Sequence, residues 1–282
     1  MRLLSLAPSN TEILYAIGAG DEVVGVTAFC DEPYDAQSKP KVGGWTEVYG
    51  DLLERFQPDL IVTSMFVPPQ VRALKEQQPE LFCHVEPHTL DDVYTSITTI
   101  GERVGRANAA VELIRRMRSE FDAIRLQHAF SPSFRGGAGG GARADAQREV
   151  VSARSIRVYV EEWSSPPMAS GNWVPEVAAI AGLEQAILKP GEWSREFRFE
   201  DLKSIDPECV ILSICGQRDR VPTQQVASRL GWGELRAVRE DRIAVIDDSL
   251  LNRPGPRLPE GARALAAVVA RTLSASTVPS RP

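Results

Sequence analysis

Short apolar runs alternate along the chain with segments in which apolar residues recur every three or four positions. The runs predict buried strands at Leu3–Leu6, Val23–Val26, Leu60–Val62, Leu81–Val85, Ile156–Val160, Cys209–Ser213 and Arg242–Ile246. The periodic segments between them predict helices. Short strands that alternate with helices predict an α/β protein with parallel sheets covered by helices on both faces.

The segment after the first predicted strand carries a helix start. Ser9 and Glu12 have the spacing of a capping box and stand just before Ile13–Ile17. In such a box the two side chains satisfy free backbone N–H groups of the first helical turn. We therefore expect the first helix to begin at this box.

One periodic segment is longer than the others and runs from Ala107 to about Gln127. Its apolar residues at helical spacing are Val111, Ile114, Met117, Phe121 and Ile124. This pattern predicts a single amphipathic helix. The glycines of Gly136–Gly141 come soon afterwards and indicate a flexible surface loop. A phosphate-binding loop is not expected, because no Lys-Ser/Thr pair follows these glycines.

The chain contains an internal repeat. Leu53–Val62 and Leu202–Ile211 each combine a short helix, a Pro turn and an apolar strand. The repeat predicts two similar lobes joined by the long helix. The expected division is an N-terminal α/β lobe at 1–105, a bridging helix at 106–128, a flexible Gly-rich insertion at 129–154 and a C-terminal α/β lobe at 155–282.

Charge and composition exclude several function classes. The net charge of −6 comes without a compact Lys/Arg cluster, so nucleic acid is not expected as a partner. Every apolar run is far shorter than the roughly 20 residues that cross a bilayer. The cysteines form no C-x-x-C pair, which predicts reduced, buried thiols and no metal site at Cys30, Cys83, Cys209 and Cys215.

The start of the chain bears on its compartment. Met1–Ala7 is too short for the apolar stretch of a secretory signal and runs directly into the first predicted helix. We therefore expect a cytoplasmic protein. The alternative is a periplasmic or other extracytoplasmic protein whose true start lies upstream.

The residues after the predicted strands are rich in Trp, Phe, Met and Pro. Parallel α/β sheets bind ligands at the carboxyl ends of their strands. The residues at these ends are Pro8, Phe29, Trp45, Ser64, Met65, Trp163, Met168, Trp193, Asn252 and Arg253. Aromatic faces and Met suit a broad apolar ligand, and Asn252 or Arg253 can orient an amide or anionic group. Alternatively, the aromatic residues only pack their loops against the sheets.

A search for catalytic motifs finds none. The sequence has no Gly-x-Ser-x-Gly elbow and no His-Glu-x-x-His motif, and Cys30 has no histidine near it in sequence. We therefore expect a binding protein without catalytic residues or an intrinsic cofactor, and not an enzyme.

Four segments, taken together and in this order, resemble the iron-siderophore and cobalamin binding proteins of ABC importers. They are Leu3–Leu14, Lys41–Trp45, Gln57–Ile61 and Asn252–Arg257. The resemblance spans nearly the whole chain. It implies two Rossmann-like lobes bridged by one rigid helix, with a ligand held in the cleft and presented to a membrane permease.

The cobalamin branch is the more similar one, because Trp163–Gly171 resembles its second-lobe loop, in which an aromatic residue usually stands at the position of Met168. By motif position, the pocket is lined by Phe29, Trp45, Met168 and Arg253, with Pro8, Ser64 or Met65, and Trp193 nearby. The resemblance also implies one acidic docking residue for the permease in each lobe, and the repeated helix puts Asp51 and Glu200 in those positions. The Gly-rich insertion departs from the compact connection of the family.

These observations lead to one main hypothesis and two alternatives. The main hypothesis is a monomeric substrate-binding protein that holds a cobalamin-like corrinoid between its lobes for ABC-type uptake or salvage. The first alternative, within the same class, is a binding protein whose ligand is a ferric siderophore or haem. The second alternative, from another class, is a cytosolic enzyme that acts on a corrinoid or a chelated metal.

Overall fold

The first lobe is built on a parallel sheet. The computed structural model describes residues 1–44, 47–48, 51–130 and 155–275. The strands of this lobe are β1 (Leu3–Ser5), β2 (Val23–Val26), β3 (Leu60–Thr63) and β4 (Phe82–His84). They pair in parallel in the order β2-β1-β3-β4. The helices of the lobe are α1 (Pro8–Ala16), α2 (Leu52–Phe56), α3 (Pro69–Gln77) and α4 (Leu90–Arg103).

A single long helix, α5, spans Ala107–Phe130. It packs against α4 on one side and against two helices of the second lobe on the other. Its buried stripe consists of Ala110, Leu113, Met117, Phe121 and Ile124. Val111 was expected in this stripe, but its side chain is 62% exposed, because the stripe passes through Ala110 and Leu113 on either side of it. The predicted Gly-rich insertion lies almost entirely outside the described residues.

The second lobe carries a larger, mixed sheet. Its strands are β5 (Ile156–Ser164), β6 (Pro167–Ala169), β7 (Leu183–Gln185), β8 (Arg195–Glu196), β9 (Cys209–Leu212) and β10 (Ile243–Val245). Strands β7, β5, β9 and β10 are parallel to one another where they pair. The antiparallel pairs β5–β6 and β6–β8 extend the sheet beyond the expected parallel part. The predicted α/β class with two lobes is confirmed.

Helices cover this second sheet as well. They are α6 (Val174–Ile180), α7 (Phe199–Ile205), α8 (Gln224–Ala227), α9 (Arg236–Arg239) and α10 (Leu258–Ala275). Short 3-10 turns lie at Gly20–Glu22, Tyr34–Ser38, Pro79–Leu81, Trp232–Glu234 and Asp248–Leu250. Within the described residues, no helix combines the length and the low polarity that a membrane span requires.

The internal repeat has the same backbone shape in both lobes. The residue that caps the C-terminus is Gln57 in α2, with φ 44°, and Asp206 in α7, with φ 47°. Both caps therefore have a left-handed backbone conformation. The N–H groups of these residues donate to Leu53 O and Leu202 O, which are equivalent positions of the repeat. In each lobe a left-handed cap therefore ends the short helix and turns the chain into a buried strand.

One hydrophobic cluster connects the two lobes. It contains Ile97 from α4, Met117 from α5, Val177 from α6 and Leu265 from α10. Packed cores of this kind move as rigid units and not by gradual deformation. The helix α5 is therefore a packed part of both lobes and not a flexible linker.

Helix α1 begins earlier than the capping box predicts. Pro8 is its first residue, and Ala7 occupies the N-cap position without a side-chain hydrogen bond. Proline fits the first helical position because its missing N–H would have no partner there in any case. Ser9 and Glu12 consequently lie inside the helix, and the carboxylate of Glu12 is available for a contact elsewhere.

Candidate functional site

Residues that follow strands of the two lobes contact each other in two places. On one side, Arg253, which follows β10, donates to Asp31, which follows β2, over 2.8 Å. On the other side, the His88 ring, which follows β4, lies 4.5 Å from the Trp193 ring between centroids. Parallel α/β sheets bind ligands at such strand ends. The cleft between these two contacts is therefore the candidate binding site.

Glu12 forms the centre of the first contact between the lobes. Its Oε1 accepts from Nη1 of Arg253 at 3.0 Å and from Nη2 of Arg257 at 2.8 Å. Arg257 Nε also donates to Oε2 at 2.9 Å, which makes the pair bidentate. Only 4% of Glu12 is exposed, and a carboxylate buried to this degree requires such partners. Sequence analysis missed this role, because the capping-box spacing explained Glu12 locally.

Asp31 extends the contact to a third arginine. Its carboxylate accepts from Arg253 and from Nη2 of Arg218. Nη1 of Arg218 also donates to Asp247 at 3.3 Å and to Ser249 at 3.1 Å. Burial alone would raise the pKa of Asp31, but the hydrogen bonds and charges of the two arginines outweigh it and lower the pKa. The structure thus uses the guanidinium of Arg253 to join the lobes.

The opposite side of the cleft is joined by hydrogen bonds. The backbone N–H of Leu90, at the start of α4, donates to Glu176 Oε2 of α6 at 2.6 Å. Nδ1 of His88 lies 3.3 Å from Asn172 Oδ1. Burial, together with the charges of Asp91 and Asp92, raises the pKa of Glu176. The two sides therefore differ in kind, because arginine–carboxylate pairs form the contact at Glu12, whereas a backbone N–H and an amide form this one.

Aromatic side chains from both lobes are exposed at the strand ends. The exposed fractions are 48% for Phe29, 60% for Phe66, 46% for Trp163 and 52% for Trp193. Exposed apolar groups that gather at one place are typical of binding surfaces. Phe66 is not among the residues predicted to contact the ligand, although it follows the buried strand β3 as closely as Phe29 follows β2.

The remaining predicted residues occupy varied positions. Pro8 is half-buried in the first turn of α1, and Ser64 is buried after β3. Met65 packs against the main hydrophobic cluster. Met168 of β6 stands opposite Trp163 of β5 in the antiparallel pair, so the structure brings these two together. Trp45 lies outside the described residues.

Asn252 fixes the shape of one loop of the cleft. Its Nδ2 donates to Ser213 O at 2.7 Å and contacts Cys215 Sγ at 3.2 Å. Its buried Oδ1 has no hydrogen-bond partner among the described residues. The amide therefore ties the loop after β10 to the loop after β9.

Two neighbouring carboxyl groups on β5 have opposite surroundings. Glu161 is fully buried and accepts from both Nη atoms of Arg229, at 2.6 and 2.7 Å. The ion pairs of the described residues do not include Glu162. Burial raises the pKa of Glu162 to about 7, and the hydroxyls of Ser194 and Ser170 offset part of that rise.

The predicted docking residues lie at the starts of the repeated helices. Asp51 is the exposed N-cap of α2, and its Oδ1 accepts from Leu53 N at 3.0 Å and Glu54 N at 3.2 Å. Glu200 is exposed in the first turn of α7. The structure thus gives Asp51 a capping role whether or not it also binds a partner.

The described residues offer no site for a protein-bound metal. None of their His, Cys, Asp and Glu side chains gather in groups of three or more that suit a metal ion. The thiols of the cysteines are free, and burial raises the pKa of Cys209 and of Cys215 to about 12. The thiols are therefore protonated and unreactive at neutral pH.

The chain is similar to proteins of known families. The family described as periplasmic binding protein matches residues 3–130, which is under half of the chain. The uncharacterized ABC transporter substrate-binding lipoprotein YvrC of Bacillus subtilis (strain 168) is 26% identical over 272 residues, which cover 94% of this chain and 78% of that protein. The vitamin B12-binding protein of Vibrio parahaemolyticus is 23% identical over 261 residues, which cover 91% of this chain and 84% of that protein.

Solved structures share the fold. The vitamin B12 binding protein BtuF of Vibrio cholerae has a TM-score of 0.71 at 21% identity, covering 96% of this chain and 97% of that chain. The periplasmic haem-binding protein RhuT from Roseiflexus sp. RS-1, in its apo form, has a TM-score of 0.76 at 19% identity, and the alignment covers 96% of this chain and 98% of that chain. Proteins of different ligand specificity thus share this two-lobed architecture.

These comparisons test two of the predictions, of which one is confirmed and the other is wrong. The family and the matched proteins are substrate-binding proteins of ABC transporters, so the prediction that this protein is not an enzyme is confirmed. The prediction of a cytoplasmic protein is wrong, because its relatives are lipoproteins or periplasmic proteins. That prediction depended on the first few residues, whereas the relatives that contradict it align over more than 90% of the chain.

Proposed function

We propose that this protein binds a cobalamin-like corrinoid between its lobes and delivers it for ABC-type uptake or salvage. The observation that carries the proposal is the set of exposed aromatic rings at the strand ends of both lobes, Phe29 and Phe66 on one and Trp163 and Trp193 on the other. Large planar macrocycles bury their apolar faces against such rings. Relatives named vitamin B12-binding proteins, which align over 91% of this chain, support the proposal.

The charge of the cleft favours a neutral ligand. Arg253, Arg257 and Arg218 are each paired with carboxylates at the lobe junction. Haem brings carboxylate groups, which would have to compete with Glu12 and Asp31 for these arginines. The periphery of a corrinoid consists largely of amides, which need hydrogen bonds and not counter-charges. This balance supports a corrinoid over haem.

In this proposal the predicted residues have two kinds of role. The ligand contacts are Pro8, Phe29, Trp45, Ser64, Met65, Trp163, Met168 and Trp193. Asn252 and Arg253 position these contacts. Asn252 holds the loops in place, and Arg253 holds the lobes together. The lobes at 1–105 and 155–282 form the two walls of the cleft, and the helix at 106–128 fixes their separation.

Titration with cyanocobalamin tests the ligand. We expect quenching of tryptophan fluorescence and, by calorimetry, about tenfold weaker binding for Trp163→Ala and for Trp193→Ala, because each loses a stacking surface. Leu230→Ala is the matched control, since it truncates an apolar side chain that is 99% exposed and lies outside the strand ends. Binding of haem or a ferric siderophore, with no response to tens of micromolar cyanocobalamin, would reject the proposal.

Asp51 and Glu200 are proposed to dock the protein to a permease. Asparagine also caps helices, so Asp51→Asn removes the charge and keeps the cap. We expect the pair Asp51→Asn and Glu200→Gln to reduce corrinoid uptake by cells that depend on this protein, while cyanocobalamin binding stays unchanged. Unchanged uptake would contradict the docking role.

A further inference from the structure

Asn172 holds the segment of the second lobe that carries Trp193. Its backbone N–H donates to Glu192 O at 2.5 Å, and its backbone oxygen accepts from Gly191 N at 3.0 Å. Its Nδ2 donates to Ser194 Oγ at 3.4 Å. Asn172 takes a left-handed backbone conformation with φ 52°, which asparagine adopts more readily than most residues. Contacts with residues on both sides of Trp193 therefore fix its backbone.

The side chain of Trp193 has a packing partner in the other lobe. The His88 ring lies 4.5 Å from the Trp193 ring between centroids, and the two ring planes are 55° apart. Tilted aromatic rings at this separation attract one another. Even with this contact, 52% of Trp193 is exposed. The first lobe therefore contacts one part of the indole and leaves the rest accessible to a ligand.

Hydrogen bonds at both ends fix His88 itself. Its backbone N–H donates to Asp92 Oδ2 of α4 at 3.1 Å. Its Nδ1 lies 3.3 Å from Asn172 Oδ1, and an amide oxygen only accepts, so Nδ1 carries a hydrogen and donates it. Asn172 thus contacts both the segment that carries Trp193 and the ring that packs against its indole.

We infer that His88 is a positioning residue, which holds the indole of Trp193 across the lobe boundary in the orientation that receives the ligand. The inference rests on the proposed function, in which Trp193 contacts the ligand. A side chain that is already ordered loses less rotamer freedom when a ligand binds. Because the support comes from the first lobe, it depends on the relative position of the lobes, which α5 and the ion pairs of Glu12 maintain.

Two substitutions separate the ring of His88 from its hydrogen bond. His88→Phe keeps a ring against the indole and loses the donor, whereas His88→Asn keeps a donor nitrogen on a shorter side chain and loses the ring. In calorimetric titrations with cyanocobalamin, we expect binding about three- to tenfold weaker for His88→Asn and close to that of the unaltered protein for His88→Phe. His84→Asn is the matched control, since Nδ1 of His84 pairs with Thr63 Oγ1 of its own lobe at 3.0 Å.

A double-mutant cycle distinguishes positioning from a general loss of structure. In the background Trp193→Ala, His88→Asn should cause no further loss of affinity, because the side chain that His88 positions is absent. The His88 side chain is 28% exposed, so we expect both of its variants to fold, which urea unfolding checks.

Several results would overturn the inference. They are equal losses from His88→Asn with and without Trp193, a similar loss from His84→Asn, and binding by His88→Phe that is as weak as binding by His88→Asn. Unchanged binding by His88→Asn would overturn it as well. The proposed function fails in a different way, in which the unaltered protein binds no cyanocobalamin, and the inference then fails with it.

Discussion

The carboxyl groups at the strand ends of the cleft fall into two kinds. Glu12 and Asp31 each accept from two arginines of the opposite lobe, whereas burial dominates the pKa of Glu162 and the hydroxyls of Ser194 and Ser170 offset only part of its effect. The first kind joins the lobes. In the second kind, burial raises the pKa to about 7. The electrostatics of the same functional group thus depend on whether an arginine reaches it.

The position of the ion pairs explains why the lobes are held together at one side. The contacts of Glu12 and Asp31 draw on helix α1, the loop after β2 and the loop after β10. The contact between His88 and Trp193 is of another kind, because it is made by rings, by an amide and by a backbone N–H that donates to Glu176. The two junctions between the lobes therefore differ in that arginine–carboxylate pairs form one of them and single hydrogen bonds and ring contacts form the other.

The largest expected effect comes from leaving a buried carboxylate without its partner. Arg229→Met keeps most of the packing of the side chain against Trp232 but leaves Glu161, which is fully buried, unpaired. We expect a loss of about 3–5 kcal/mol in the free energy of unfolding, measured with urea. The double variant Glu161→Gln with Arg229→Met removes the unpaired charge and should recover part of the loss. An equally unstable double variant would show that the loss comes from packing.

A smaller effect is expected at the lobe junction, because its carboxylates have second partners. Arg253→Met leaves Glu12 with Arg257 and leaves Asp31 with Arg218. We expect a loss of about 1–3 kcal/mol in the free energy of unfolding. Arg263→Met breaks the exposed pair with Glu120 and should cost about 0.5 kcal/mol or less. Similar losses for the two variants would remove the distinction between junction and surface pairs.

The smallest effects should appear in the pH dependence of stability, with opposite signs. The lowered pKa of Asp31 stabilises the fold above the ordinary aspartate pKa of about 4, and this stability is lost as pH falls through the folded value. The raised pKa of Glu162 has the reverse effect, so stability falls as pH rises from about 4.5 to about 7.

Urea unfolding at pH 3, 5 and 8 separates the two. Asp31→Asn should reduce the loss in the free energy of unfolding between pH 5 and pH 3. Glu162→Gln should raise the free energy of unfolding at pH 8 relative to pH 5 by on the order of 1 kcal/mol. If Glu162→Gln left the difference between pH 5 and pH 8 unchanged, the carboxyl would not titrate in that range, and the contrast with Asp31 would be lost.

Much of the fold could be predicted from local patterns. The strands of the first lobe and the repeat of α2 and α7 depend on neighbours in sequence, namely apolar runs, Pro turns and helix ends. The antiparallel strands β6 and β8 could not be predicted, because they are short and their pairing depends on β5. Val111 shows the same limit of local patterns on a helix. Its spacing fits a buried stripe of apolar residues, but the packing of α5 buries the neighbouring stripe through Ala110 and Leu113 instead.

The candidate site was predictable in its position but not in its electrostatics. The sequence by itself determined two α/β lobes, a bridging helix and aromatic residues at the strand ends, since each follows from the order of polar and apolar residues. Only the tertiary structure decided that Glu12 and Arg253 pair across 241 residues and that burial raises the pKa of Glu162. The physical reason is that the charge state of a carboxyl group depends on burial and on partners that are distant in sequence.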